Sequence, residues 1–219
     1  MIRKLGLLLV AGAAAIGLAR PAVAATVIDP VGDYLPTYRG PQQPDLDVTE
    51  FSVFFNPSLS TFLLQTTMAG PIDTSIGGFY VIGANTGTGP NNFASLGLSG
   101  VTFNQAIVVQ KNGTGTVGVN ALPAGSVTID GRVLNVTVPL SLLPTTGFAP
   151  INYGFNMWPR TNAPGITGNP AISDFAPDNG ILAVSAPVPE PASWTLMILG
   201  LGVVGWSLRR RGQPTLRTV

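Results

Sequence analysis

The chain has 219 residues, 45% of them hydrophobic and 10% charged, with 11 basic and 10 acidic side chains, a net charge of +1, and no cysteine or histidine. Ser-His and Cys-His nucleophilic pairs and the usual His or Cys zinc sites are therefore excluded within this chain, and no disulfide can support its fold. Carboxylate chemistry remains open, and so does a Ser-Lys pair, although the body offers only Lys111, which adjoins Asn112-Gly113 and is expected in an exposed turn.

The first segment reads as a removable secretory signal spanning residues 1–24. Met1-Ile2-Arg3-Lys4 is a small basic start, Leu5 to Leu18 is apolar, and Ala22, Ala24 and Ala25 supply the small residues of a cleavage site. Cleavage is expected before Ala25, and one residue later fits the small-residue rule almost as well. Such a signal implies the Sec translocon and a signal peptidase as partners.

Residues 25–186 form the body, expected as one domain with a sizeable core. The body is acidic, with four basic groups (Arg39, Lys111, Arg132, Arg160) against nine acidic ones. That balance argues against nucleic acid as a partner and is compatible with divalent cations or with simple solubility. Its pattern is all-β. Thr49, Phe51, Val53 and Phe55 alternate with polar neighbours; Phe62, Leu64, Thr66 and Met68 repeat the period, and Ile151, Tyr153, Phe155 and Met157 form a third series. Hairpins are predicted around Asn112-Gly113 and Asp130-Gly131, dipeptides favoured where φ is positive. Residues 84–92 are too rich in Gly and Asn to carry a strand, and the best helical candidate is a single turn near Leu140 to Leu143. Short strands at this spacing predict an antiparallel β-sandwich, jelly-roll or immunoglobulin-like, rather than a barrel.

The acidic residues are the best candidate site in the body. Asp29, Asp33, Asp45 and Asp47 crowd into turn-rich sequence, and Asp174 and Asp178 occupy a late loop. Calcium takes six to eight oxygen ligands from carboxylates and loop carbonyls, so Asp29, Asp33, Asp45 and Asp47 are the candidate ligands. Their spacing matches no EF-hand loop, and the plain alternative is turn-forming aspartates in solvent. Trp158 has two readings, a sugar-stacking platform or a cap on the core, and the second is preferred because it ends an alternating strand.

The final segment is a sorting and anchoring device. Pro189 and Pro191 flank Glu190, cannot donate backbone hydrogen bonds and favour extended neighbours, so they present an accessible strip that a protease can bind. From Pro191 to Leu208 there are 18 uncharged residues, which as a helix would cover about 27 Å of a hydrocarbon layer about 30 Å thick. A transmembrane helix is predicted over 192–208, with Trp194 at its entry and Arg209, Arg210 and Arg211 as its stop. No Lys or Arg lies between Arg160 and Arg209, so the arginines belong in the cytoplasm, with residues 212–219 as a short tail and the body outside.

Residues 188–211, through Pro189-Glu190-Pro191, Ala192-Ser193-Trp194, the hydrophobic segment and Arg209 to Arg211, resemble a PEP-CTERM sorting signal of Gram-negative bacteria. The resemblance implies recognition by an exosortase-type membrane protease, membrane anchoring before processing, and delivery to the cell surface or an extracellular polysaccharide matrix. Such C-terminal regions also carry the label of an ice-binding protein C-terminal domain, which is no evidence of ice binding; the chain has no threonine ladder of the kind a repetitive ice-binding face needs. The expected function is a non-enzymatic surface or matrix structural protein needing no cofactor, with exopolysaccharide as a candidate contact. The alternatives are a glycan-binding or calcium-stapled adhesive module and a carboxylate-based glycoside-active enzyme, whose two acids would stand about 5 to 9.5 Å apart in one cleft.

Overall fold

The computed structural model describes residues 23–184, and these form two antiparallel sheets with no α-helix among them. The strands are β1 (Val23–Ile28), β2 (Val48–Asn56), β3 (Thr61–Met68), β4 (Phe79–Asn85), β5 (Gln105–Gln110), β6 (Gly115–Val117), β7 (Asn120–Ala121), β8 (Val127–Asp130), β9 (Val133–Pro139), β10 (Gly154–Arg160) and β11 (Leu182–Ala183). Sheet one has the order β1-β2-β3-β9-β8 and sheet two the order β11-β10-β4-β5-β6-β7. Within sheet two, β4, β5, β6 and β7 lie side by side in chain order, and β10 returns to pair with β4. The immunoglobulin-like subtype is corrected: that layout splits its first three strands between sheets, whereas here β1, β2 and β3 form one meander.

Both predicted hairpins are present. Asp130 faces Val133 across the β8–β9 turn, where Gly131 has φ +57°, and Gly113 at φ +83° turns β5 into β6. The predicted helical turn is a 3-10 turn at Leu140–Leu142. Two boundaries differ from expectation. Ala84 and Asn85 end β4 rather than starting a loop, because the strand is buried without a break from Tyr80 to Asn85 and its pairing with β10 and β5 carries through. Ile151 lies in a 3-10 turn, Pro150–Asn152, so its series enters the sheet only at Gly154.

One core takes side chains from both sheets, including Phe51, Phe62, Leu64 and Val136 from sheet one and Tyr80, Ile82, Ile107 and Phe155 from sheet two. The Phe62 ring links the layers, with centroids 4.7 Å from Phe55, 5.1 Å from Phe155 and 5.7 Å from Tyr153. The outer face of sheet one is mostly polar around a Phe54–Leu63 pair, and cross-strand pairs such as Gln65–Asn135 and Thr26–Ser52 hydrogen-bond there at 2.8 Å. This is why β3 alternates so cleanly.

The strands β4 and β10 of sheet two are buried on both faces. A second cluster of Val81, Phe93, Val101, Trp158, Ile172 and Phe175 covers the face turned away from the main core. Trp158 is 2% exposed and packs against Phe93, Phe103 and Phe175 at centroid distances of 4.9 to 5.7 Å, so it is a packing residue of that second cluster. Gly83 is required by the same packing: a Cβ there would meet the Trp158 ring at 2.7 Å and Phe103 at 2.9 Å. Gly83→Ala is expected to destabilise the domain by about 1–3 kcal/mol through overpacking, read from chemical denaturation.

Candidate functional site

The site forms where the first strand and the last loops meet. Asp29 follows β1 directly, and its backbone N–H donates to the Thr49 carbonyl of β2 at 3.0 Å. The chain then turns through Gly32, at φ +84°, whose N–H donates to Asp47 Oδ2 at 2.8 Å and brings Asp33 back toward Asp29. On the other side, Leu35 N–H donates to Ser173 O at 2.8 Å, tying this N-terminal loop to the segment that carries Asp174. Asp174 is 1% exposed; its Oδ2 accepts from Val48 N–H at 2.8 Å and its Oδ1 from Phe175 N–H at 2.7 Å. Asn156 of β10 donates to the carbonyls of Pro177 at 2.6 Å and Gly180 at 2.8 Å, fixing the loop that presents Asp178.

One carboxylate oxygen from each of Asp29, Asp33, Asp174 and Asp178 lies within 4.8 Å of the others. Asp29 is only 6% exposed, and its Oδ2 is buried without a hydrogen-bond partner, as are Asp33 Oδ1 and Asp47 Oδ1. Burial, followed by the charges of Asp174, Asp178, Asp33 and Asp47, pushes the Asp29 carboxyl up to about 8. Burial likewise pushes Asp174 up to about 7, against the opposing effect of the Val48 N–H, and raises Asp33 and Asp47. Among the described residues, no ion pair relieves this crowding. The salt bridge found among the described residues joins Lys111 and Asp45, at 2.5 Å.

Of the four expected ligands, two lie in this cluster. Asp29 and Asp33 converge, and Asp47 borders them as the acceptor for Gly32. Asp45 does not converge: its Oδ2 holds Lys111 and accepts from Asp73 N–H at 3.1 Å, so it is a structural anchor. Lys111 is correspondingly buried rather than exposed beside its turn, with its Nζ also donating to the Ile76 carbonyl at 3.1 Å. Asp174 and Asp178 take the places expected of Asp45 and Asp47. A signal for them exists in the sequence, since Asp29/Asp33 and Asp174/Asp178 share the same four-residue spacing.

The described residues therefore define a two-sheet, all-β domain with an acidic cluster at the junction of its first strand and last loop. Beyond the domain, residues 187–211 match the PEP-CTERM protein-sorting motif. That match bears out the resemblance read from Pro189, Glu190, Pro191, Trp194 and Arg209 to Arg211, and it implies an exported, membrane-anchored envelope protein processed by exosortase, a membrane protein. No curated protein and no solved structure matches the chain. The sorting residues and the predicted span 192–208 lie outside the described residues, as does Ala22; among those described, no helix is long and apolar enough to cross a membrane. Ala24 and Ala25 fall within β1, paired with Phe54 and Val53, so a chain beginning at Ala25 keeps the β1 pairs from Ala25 to Ile28.

Proposed function

We infer that this is a surface or extracellular-matrix structural protein whose body, read as a β-sandwich, is held outside the cytoplasm by a helix over 192–208 until exosortase processes it near Pro189-Glu190-Pro191. The observation that carries this reading is the sorting-motif match at residues 187–211. Two sheets contributing to one core support the sandwich, and the mostly polar outer face of sheet one suits a hydrated surrounding. The reading assigns the body no catalytic role. Burial of Trp158 removes the one stacking platform that a glycan-binding reading had in the body.

Intact mass spectrometry of protein recovered from the envelope and the medium tests the reading. Loss of residues 1–24 and a new C-terminus near Glu190 are expected. Replacing Pro189, Glu190 and Pro191 by alanine is expected to abolish the C-terminal cut and leave the protein in the membrane fraction. Full-length protein in the cytosol would overturn the reading.

A further inference from the structure

We propose that Asp29, Asp33, Asp174 and Asp178 form a calcium site that staples the first strand of the domain to its last loop. The donor set is oxygen only, which selects a hard cation such as calcium over the transition metals that imidazole and thiolate favour. Calcium–oxygen distances of about 2.3–2.6 Å place opposite ligands roughly 4.6–5.2 Å apart, and no pair in this set exceeds 4.8 Å.

The buried oxygens give the second, independent reason. Asp29 is more than nine-tenths buried, belongs to the converging set, and its Oδ2 has no hydrogen-bond partner. A buried polar atom without a partner is costly, and native proteins seldom keep one without an ion or a water to satisfy it. Asp33 Oδ1, in the same set, is in the same condition. No arginine or lysine is salt-bridged to any of the four acids among the described residues. A divalent cation satisfies these oxygens and cancels their repulsion in one step.

The cation's place in the fold gives it a role. It joins residues 29–33, just after β1, to residues 174–178, which precede β11 at the end of the described domain. β1 is an edge strand whose only strand pairing is with β2, and the loop carrying Asp178 is held by the Asn156 side chain. Calcium would therefore tie down the two ends of the body, at the point where the chain leaves for the sorting segment. The site stands whether or not that segment is processed.

The test uses the exported protein, stripped with a chelator and titrated with calcium alone. One ion per chain is expected, with a Kd on the order of 10⁻⁴ M, as for extracellular calcium modules. At about a hundredfold excess over Kd, Tm is expected to rise by roughly 5–10 °C. Asp178→Asn changes the exposed ligand and should fold normally while weakening calcium by about tenfold or more. Asp29→Asn should give a chelated protein at least as stable as the parent, because a buried acid crowded by three others is gone, yet it should lose the calcium response. A purely structural aspartate would not produce those opposite signs. Asp130→Asn, on the β8–β9 turn, should leave the response intact. The proposal is overturned by no Tm change up to about 10 mM calcium, by an equal response to magnesium, or by an Asp178→Asn protein that responds like the parent.

Discussion

Lys111→Met is expected to destabilise the domain by about 3–5 kcal/mol, the loss typical of removing one partner from a buried ion pair. Against a total stability of roughly 5–15 kcal/mol, that would lower Tm by about 6–20 °C. The methionine replaces the aliphatic stem, so the loss lies in what the ammonium held. Lys111 Nζ sits 2.5 Å from Asp45 Oδ2, and the two side chains are 5% and 4% exposed. It also donates to the carbonyls of Asp73 at 3.3 Å and Ile76 at 3.1 Å, so one cation closes the loop between β3 and β4 onto the β5–β6 turn. Without it, the Asp45 carboxylate stays buried with the Asp73 N–H as its remaining partner. Denaturant titration followed by far-ultraviolet circular dichroism measures the loss. High salt should not rescue it, because buried pairs are poorly screened. A loss below about 1 kcal/mol, the range of exposed pairs, would show that the lysine turns out into solvent.

The same residue shows where sequence reading stops. Asn112-Gly113 predicts a turn, and the turn is there, but the turn leaves open whether the preceding side chain points outward or inward. Lys111 points inward because Asp45, 66 positions earlier, waits beneath it. Sheet one was legible because only one of its faces is buried, so Phe62, Leu64 and Met68 fall on alternate positions. β10 was legible only in part. Its outer face is covered by loops bearing Phe93 and Phe175, which leaves Gly154 to Pro159 buried without alternation.

The acidic site follows the same logic. Asp29 and Asp33 could be picked from local crowding, whereas the choice of Asp174 and Asp178 over Asp45 depends on a strand order that sets the first strand near the last loop. The C-terminal motif needed no fold at all. Its signal is the linear order of prolines, apolar residues and arginines, and the match to residues 187–211 depends on that order alone.

In the presence of a chelator, the domain is expected to lose stability as pH rises from 5 to 8, the reverse of ordinary acid denaturation. In the folded domain the Asp29 carboxyl is raised to about 8 and that of Asp174 to about 7, both from an ordinary 3.8. Between these limits the folded chain binds more protons than the unfolded chain. Their contribution is therefore fully present below about pH 4 and is lost as pH climbs through 7 to 8. Each unit of upward shift corresponds to about 1.4 kcal/mol, so the two shifts taken in full would amount to about 6 kcal/mol between pH 5 and 8; because Asp178 leaves the cluster open to solvent on one side, screening reduces the expected loss to the order of 3 kcal/mol. The cause is burial first and the neighbouring acids second, so Asp29→Asn, which removes one buried acid and relieves the others, should flatten the profile. Calcium should flatten it too, because the ion favours the ionised ligands that the empty cluster resists. Urea midpoints at pH 5, 6, 7 and 8, each with chelator and with calcium, separate these effects. If the chelated domain were as stable at pH 8 as at pH 5, Asp29 and Asp174 would have to be ionised throughout, and solvent would have to reach the carboxylates now enclosed between β1 and the last loop.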